Sequence, residues 1–170
     1  STGAKIDAHT LAQRPCFLCA SNRPKEQLTK RLDDDFCLLV NPFPILPVHF
    51  TIPALHHEPQ AILSHYGEVH KLLARYKVLM VFYNGPKCGA SAPDHQHLQA
   101  GESGLVPLQR EWKRMQKSFE PIVTLNEDND VCLLRDFVVP ALVIRSTSAE
   151  SDEKLFLLVY KCLPLRDGET

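Results

Sequence analysis

The chain has 170 residues, 44% of them apolar and 23% charged, with a formal net charge of -1. That is enough for one compact core, or for one domain and part of another, and it argues against intrinsic disorder. Near-neutral charge gives no general pull toward nucleic acid or an anionic membrane, so any polyanion site must be local. No run reaches the ~20 apolar residues of a membrane span. Ser1–Lys5 lacks the apolar core of a signal peptide. The chain does not open on methionine, so a trimmed sequence is expected.

Residues 1–30 read as irregular and polar, with Pro15 and Pro24 as breakers and His9 expected to be disordered. Within them, Cys16-Phe17-Leu18-Cys19 is a C-x-x-C pair. Half of a zinc site, a redox pair and coincidence all compete for it. A redox pair belongs at a strand–helix junction, which this segment does not offer. Zinc needs two more ligands, and His49, His56, His57 and His95 are the histidine candidates. Cys37, Cys132 and Cys162 sit in apolar runs as small hydrophobes, which suits a reducing, cytoplasmic setting.

Residues 36–40 read as a buried strand, ended by the proline-rich Asn41–Pro47. A short strand resumes over 49–53. The spacing of Ile62, Leu63, Tyr66, Val69, Leu72, Leu73 and Tyr76 predicts a helix over 59–77. His65 and His70, five apart on it, are poorly spaced for shared ligation and read as surface residues. Strands follow at 78–83 and 95–100. A second helix is expected over 107–119, opened by Pro107, with Arg110, Lys113, Arg114 and Lys117 as a solvated face or a screen for polyphosphate. The last third reads as strands at 121–125, 131–135, 137–145 and 155–162, with a hairpin turn over 126–130. Thr170 follows soon after the last of them, which suits a chain cut within a larger protein. The class is α+β: an antiparallel sheet flanked by helices.

Asp94-His95-Gln96-His97-Leu98-Gln99 carries the most chemistry. On an extended strand, His95, His97 and Gln99 would share one face, about 6.6 Å apart at each step. A neutral imidazole is a competent nucleophile when one nitrogen is held as donor and the other faces the reacting centre. Attack by His97 on an α-phosphorus would give a nucleotidyl-histidine. Gln99 can donate to a phosphoryl oxygen but has no useful pKa, so it cannot shuttle protons. That favours an acceptor arriving as an anion, and so a transferase or phosphorylase over a hydrolase. The loop 84–91 before it could offer backbone N–H groups to phosphates, with Lys87 adding charge and Ser91 a hydroxyl. It is not a Walker loop.

His95-Gln96-His97-Leu98-Gln99 resembles the His-x-His-x-Gln signature of the transferase branch of the histidine-triad superfamily. That branch includes galactose-1-phosphate uridylyltransferase, diadenosine tetraphosphate phosphorylase and the GDP-hexose phosphorylases. The resemblance runs from Cys16 to about Gly101. It implies a HIT-like sheet over 1–119, with 120–170 beginning a second half or extending the sheet. It implies His97 as nucleophile, Gln99 on the phosphoryl oxygens, and Asn41, Asn84 and Ser91 near ribose and phosphates. It also implies a structural zinc on Cys16, Cys19 and His95, with His57 preferred over His56 as the fourth ligand. The partners it implies are a nucleotide or nucleotide sugar and a phosphate or sugar-phosphate acceptor; nucleic acid and membrane are not expected, and a homodimer is left open. The uridylyltransferase motif has proline where this chain has Gln96, which moves the likeness toward the dinucleotide and GDP-hexose phosphorylases. A non-catalytic zinc-stabilised nucleotide-binding module and a nucleotide hydrolase are the alternatives.

Overall fold

In a computed structural model, residues 8–166 are described. They form two compact units. One holds the residues up to His65 and Leu72–Glu102; the other holds Tyr66–Lys71 and Ser103–Pro164.

The first unit begins with a short helix α1 (Ala8–Gln13), which contains His9. The expectation of disorder there is not met: the side chains of His9 and Gln13, one turn apart, are in hydrogen-bond contact at 3.0 Å. Five strands then build an antiparallel sheet: β1 (Thr29–Arg31), β2 (Cys37–Val40), β3 (His49–Pro53), β4 (Leu79–Phe82) and β5 (His97–Glu102). Their order is β1-β2-β3-β5-β4, so β5 is an inner strand, paired with β3 and β4. Alternation places Ile52, Leu98 and Ala100 on one face, where all three are fully buried. The other face of β5 carries His97 opposite Pro53 and Gln99 opposite Thr51. Cys37 and Leu39 of β2 join Cys16, Leu18 and Ala92 in a buried apolar cluster.

Two expected elements start later than the periodicity suggests. The helix α2 (Tyr66–Arg75) follows a single 3-10 turn at Leu63–His65 and does not include 59–61. Those backbone N–H groups are spent elsewhere: Gln60 N donates to Pro93 O at 3.1 Å and Ala61 N to Gln96 Oε1 at 2.7 Å. The His-rich strand likewise starts at His97, not at residue 95. His95 N bonds back to Ala92 O at 3.1 Å, so His95 sits in a turn before the ladder. The expected row of three side chains along one strand is therefore a pair, His97 and Gln99, with His95 turned elsewhere.

The second unit has an antiparallel three-stranded sheet of β6 (Phe119–Asn126), β7 (Asn129–Leu134) and β8 (Ala141–Arg145), in that order. The turn at Asn126 is the expected one, its Oδ1 accepting from Asp128 N and Asn129 Nδ2. The predicted helix over 107–119 is broken into α3 (Pro107–Arg110), α4 (Trp112–Met115) and a 3-10 turn, and Phe119 already belongs to β6. Arg114 of the basic face pairs with Glu111 and Asp136. Residues 155–162, read from sequence as a strand, belong instead to α5 (Ala149–Cys162). Its N-terminus is capped by Ser148, whose hydroxyl accepts from Ser151 N at 3.1 Å, with Glu150 and Asp152 in the first turn. Leu155 anchors it, fully buried beside β7 and β8. Among the described residues, no helix is long and apolar enough to cross a membrane.

Candidate metal centre and active site

Pro15 and the irregular backbone after it put the two sulfurs of the C-x-x-C pair on one side of a tight turn. Cys19 N donates to Cys16 O at 3.2 Å, and Asn22 Nδ2 donates to the same carbonyl at 2.9 Å. Arg23 clamps the carbonyl of Leu18 with two guanidinium N–H groups, at 2.8 and 2.5 Å. With its backbone held in this way, the segment needs no regular secondary structure. His57 comes from the bend after β3, and His95 from the turn before β5. The ligand atoms of Cys16, Cys19, His57 and His95 all lie within 4.8 Å of one another.

The geometry within that cluster fits a metal ion. Cys16 Sγ is 3.3 Å from His95 Nδ1, Cys19 Sγ is 3.6 Å from the same atom, and Cys19 Sγ is 3.2 Å from His57 Nδ1. Zinc–sulfur and zinc–nitrogen bonds of about 2.3 and 2.0 Å in a tetrahedron give an S···N edge of about 3.5 Å. The His95 tautomer fits too. Its Nε2 lies 2.9 Å from Ala54 O, and a carbonyl can only accept, so Nε2 carries the proton. Nδ1, facing both sulfurs, is then the nitrogen with the lone pair a ligand needs. Burial is the main reason the His95 imidazole is held below its ordinary pKa, which favours that neutral form. Burial, and then the adjacent Cys16 sulfur, push the Cys19 thiol up. Two sulfurs side by side resist ionising together, and a bound cation reverses that sign. The four residues could therefore hold a metal ion. Of the other histidine candidates, His56 lies outside the cluster and His49 has a different position, on β3 beside Gln99.

His97 is 4% exposed and doubly fixed. Its Nδ1 lies 2.8 Å from His95 O, so this nitrogen is the donor and Nε2 carries the lone pair. Burial lowers its pKa, against a smaller opposing effect of that carbonyl. Its backbone is gripped by Gln60, a residue with no motif or periodicity to mark it. Gln60 Oε1 accepts from His97 N at 2.7 Å, and Gln60 Nε2 donates to His97 O at 3.0 Å and to Asn84 O at 2.9 Å. A buried amide thus ties the start of β5 to the loop after β4.

Gln99 receives a hydrogen bond from His49, with His49 Nε2 2.9 Å from Gln99 Oε1. Asn41 lies nearby in register: its Nδ2 donates to Thr51 Oγ1 at 3.0 Å, and Thr51 is the cross-strand partner of Gln99. Asn84 and Ser91 are engaged through their carbonyls, Asn84 by Gln60 and Ser91 by Arg14 Nη2 at 3.0 Å. Arg14 also pairs with Asp94, just ahead of the histidines, at 3.3 Å. Lys87 lies exposed in the turn of the same loop, where Gly89 takes a φ of 90° that L side chains rarely adopt. Gln60 and His49 escaped notice as supporting residues because each works through long-range contacts, which no local spacing encodes.

Residues 1–102 match a family model described as a domain of unknown function, DUF4922. The chain belongs to the DUF4922 family. The DUF4922 match takes in all five strands of the first sheet, the Cys/His cluster, His97 and Gln99. No curated protein matches the chain. Among solved structures, the DUF4922 chain is similar to a histidine triad protein from Clostridium difficile, with 17% identity and a TM-score of 0.39, over 54% of this chain and 90% of that one.

Proposed function

We propose that the protein is a nucleotidyltransferase of the phosphorylase type, acting on a nucleoside polyphosphate or nucleotide sugar through a nucleotidyl-histidine on His97. The observation that carries this reading is the state of the His97 ring. Its Nδ1 is committed to the carbonyl of His95, which leaves an uncharged Nε2 lone pair in a ring that cannot rotate freely. In the first step Nε2 attacks the α-phosphorus, and a P–N bond forms as the bond to the leaving phosphate or sugar phosphate breaks. The leaving group departs with that electron pair. In the second step an acceptor phosphate oxygen attacks the same phosphorus, the P–N bond breaks, and its electron pair returns to Nε2. The Gln99 amide donates to a non-bridging oxygen in both steps and moves no proton. Asn41, Asn84, Lys87 and Ser91 would line the ribose and phosphates.

Zinc is the ion we assign to Cys16, Cys19, His57 and His95, since a closed set of two thiolates and two imidazoles suits a structural zinc. When bound, the ion braces the turn that carries His95. Because the His95 carbonyl holds Nδ1 of His97, the cluster also sets the angle of the nucleophilic ring. Six cysteines free of disulfides fit a reducing, cytoplasmic setting.

The test is incubation with nucleotides labelled at the α-phosphate, with isolation of protein-bound label that is stable to base and lost in acid. We expect His97→Ala to abolish labelling, a loss of at least ~10³-fold. Label that persists in His97→Ala would defeat the assignment, and release of mononucleotide without any phosphate acceptor would point to a hydrolase.

A further inference from the structure

We infer that His49 is a positioning residue that decides which end of the Gln99 amide faces the phosphate. The inference rests on the reading of Gln99 as a phosphoryl donor given above. A glutamine amide has one donor end and one acceptor end of nearly the same shape, and an imidazole has the same ambiguity in its two nitrogens. Here the ambiguity is broken by a backbone group. Ile45 N lies 3.2 Å from His49 Nδ1, and a backbone N–H can only donate. Nδ1 must therefore be the acceptor, and the proton of the neutral ring sits on Nε2. That nitrogen lies 2.9 Å from the Gln99 side chain, so the atom it meets must be the carbonyl oxygen. A flipped amide would set N–H against N–H. The donor end of Gln99 is turned away from His49.

The rest of the surroundings hold this relay in place. The His49 ring is 5% exposed and stacks on Phe82, with centroids 5.7 Å apart and planes at 26°. Asn41 N donates to His49 O, and Asn41 Oδ1 accepts from Phe43 N, fixing both ends of the proline-rich loop that carries Ile45. Gly101, opposite His49 in the ladder, lets that loop close down. A Cβ there would overlap Leu46 Cδ1 and lie 3.2 Å from Val48 O. The order of control runs from Gly101 to the loop, from Ile45 N–H to the His49 tautomer, and from that tautomer to the Gln99 amide. Such a donor needs no reorganisation when charge develops on the phosphoryl oxygen.

Two substitutions separate the halves of the relay. His49→Asn keeps an acceptor near the Nδ1 position for Ile45 and loses the donor to Gln99. His49→Gln keeps a donor near the Nε2 position and loses the acceptor. With α-labelled nucleoside polyphosphate, we expect His49→Asn to slow labelling of His97 by about as much as Gln99→Ala, on the order of 10²-fold. His49→Gln should recover much of that loss. The His49→Asn/Gln99→Ala double variant should be no slower than Gln99→Ala alone, because the two act on one interaction. Wild-type rates in His49→Asn, or losses that multiply in the double variant, would overturn the inference. A long-range proton–nitrogen NMR spectrum of the wild-type protein needs no turnover and no variant. It should show His49 protonated at Nε2, and protonation at Nδ1 overturns the inference even if His97 is labelled. The expected tautomer in a protein that never labels His97 would sink the transferase reading and leave the amide placement standing.

Discussion

His97 has two chemically distinct nitrogens before any ligand arrives, because a backbone carbonyl has claimed one of them. The same logic runs through His95 and His49, whose tautomers are set by Ala54 O and Ile45 N. Backbone groups thus fix the tautomers of three histidines, with the proton on Nδ1 in His97 and on Nε2 in His95 and His49, and backbone groups cannot be flipped. Gln60 belongs to this scale as well. Replacing it with alanine would leave the buried N–H of His97 and the carbonyls of His97 and Asn84 without these partners. We expect Gln60→Ala to lower unfolding free energy by about 2–3 kcal/mol, the cost of stranding buried polar groups. Urea denaturation measures it, and a change under ~0.5 kcal/mol would show that water or a shifted side chain replaces the amide. At this scale the sequence is legible for His97 and Gln99, whose types and spacing announce chemistry. It is silent on Gln60, a single polar residue beside Pro59 with no periodic partner.

At the scale of elements, the strands around the site are the ones that alternation and turn residues predict, give or take one or two positions. The shift that matters is at β5. Starting the strand at His97 instead of His95 releases His95 into a turn, and only there can its ring meet the two cysteines. One element read as the wrong type is α5. Leu155–Cys162 is a short apolar run whose length and composition suit either a strand or a buried helix segment. The decisive signal lies upstream, in Ser148 followed by Glu150 and Asp152. Ser148→Ala should therefore cost about 1 kcal/mol of stability, and Ser148→Asp should recover most of it. Chemical denaturation of the two variants against wild type reads the difference, and equal midpoints for all three would remove the cap from the explanation.

For the whole molecule, the Cys/His cluster joins three chain segments separated by nearly eighty positions, from Cys16 to His95. An ion that binds the folded form better than the unfolded form stabilises it by mass action. Treatment with a chelator should lower the unfolding temperature by several degrees, and adding back about one equivalent of zinc should restore it. Calorimetry with elemental analysis gives both quantities. Metal-free protein with an unchanged unfolding temperature would show that the four residues pack without an ion. Cys16→Ser should reproduce the chelator's effect and be insensitive to added zinc.

Residue types with their spacing, and the alternation that builds a sheet, are local properties. The sequence by itself was therefore enough for the α+β class, the antiparallel sheet around a His-x-His-x-Gln segment, and the candidate nucleophile. The C-x-x-C pair is legible too, but as half a site with several histidines available. Tertiary structure decided which of them meet it, because His57 and His95 reach the sulfurs only once β3 and β5 have paired. It also decided the tautomers and the supports, Gln60 beneath His97 and His49 beside Gln99. The two supports depend on hydrogen bonds between residues 37 and 50 positions apart, and long-range contacts of that kind leave no periodic trace in the chain.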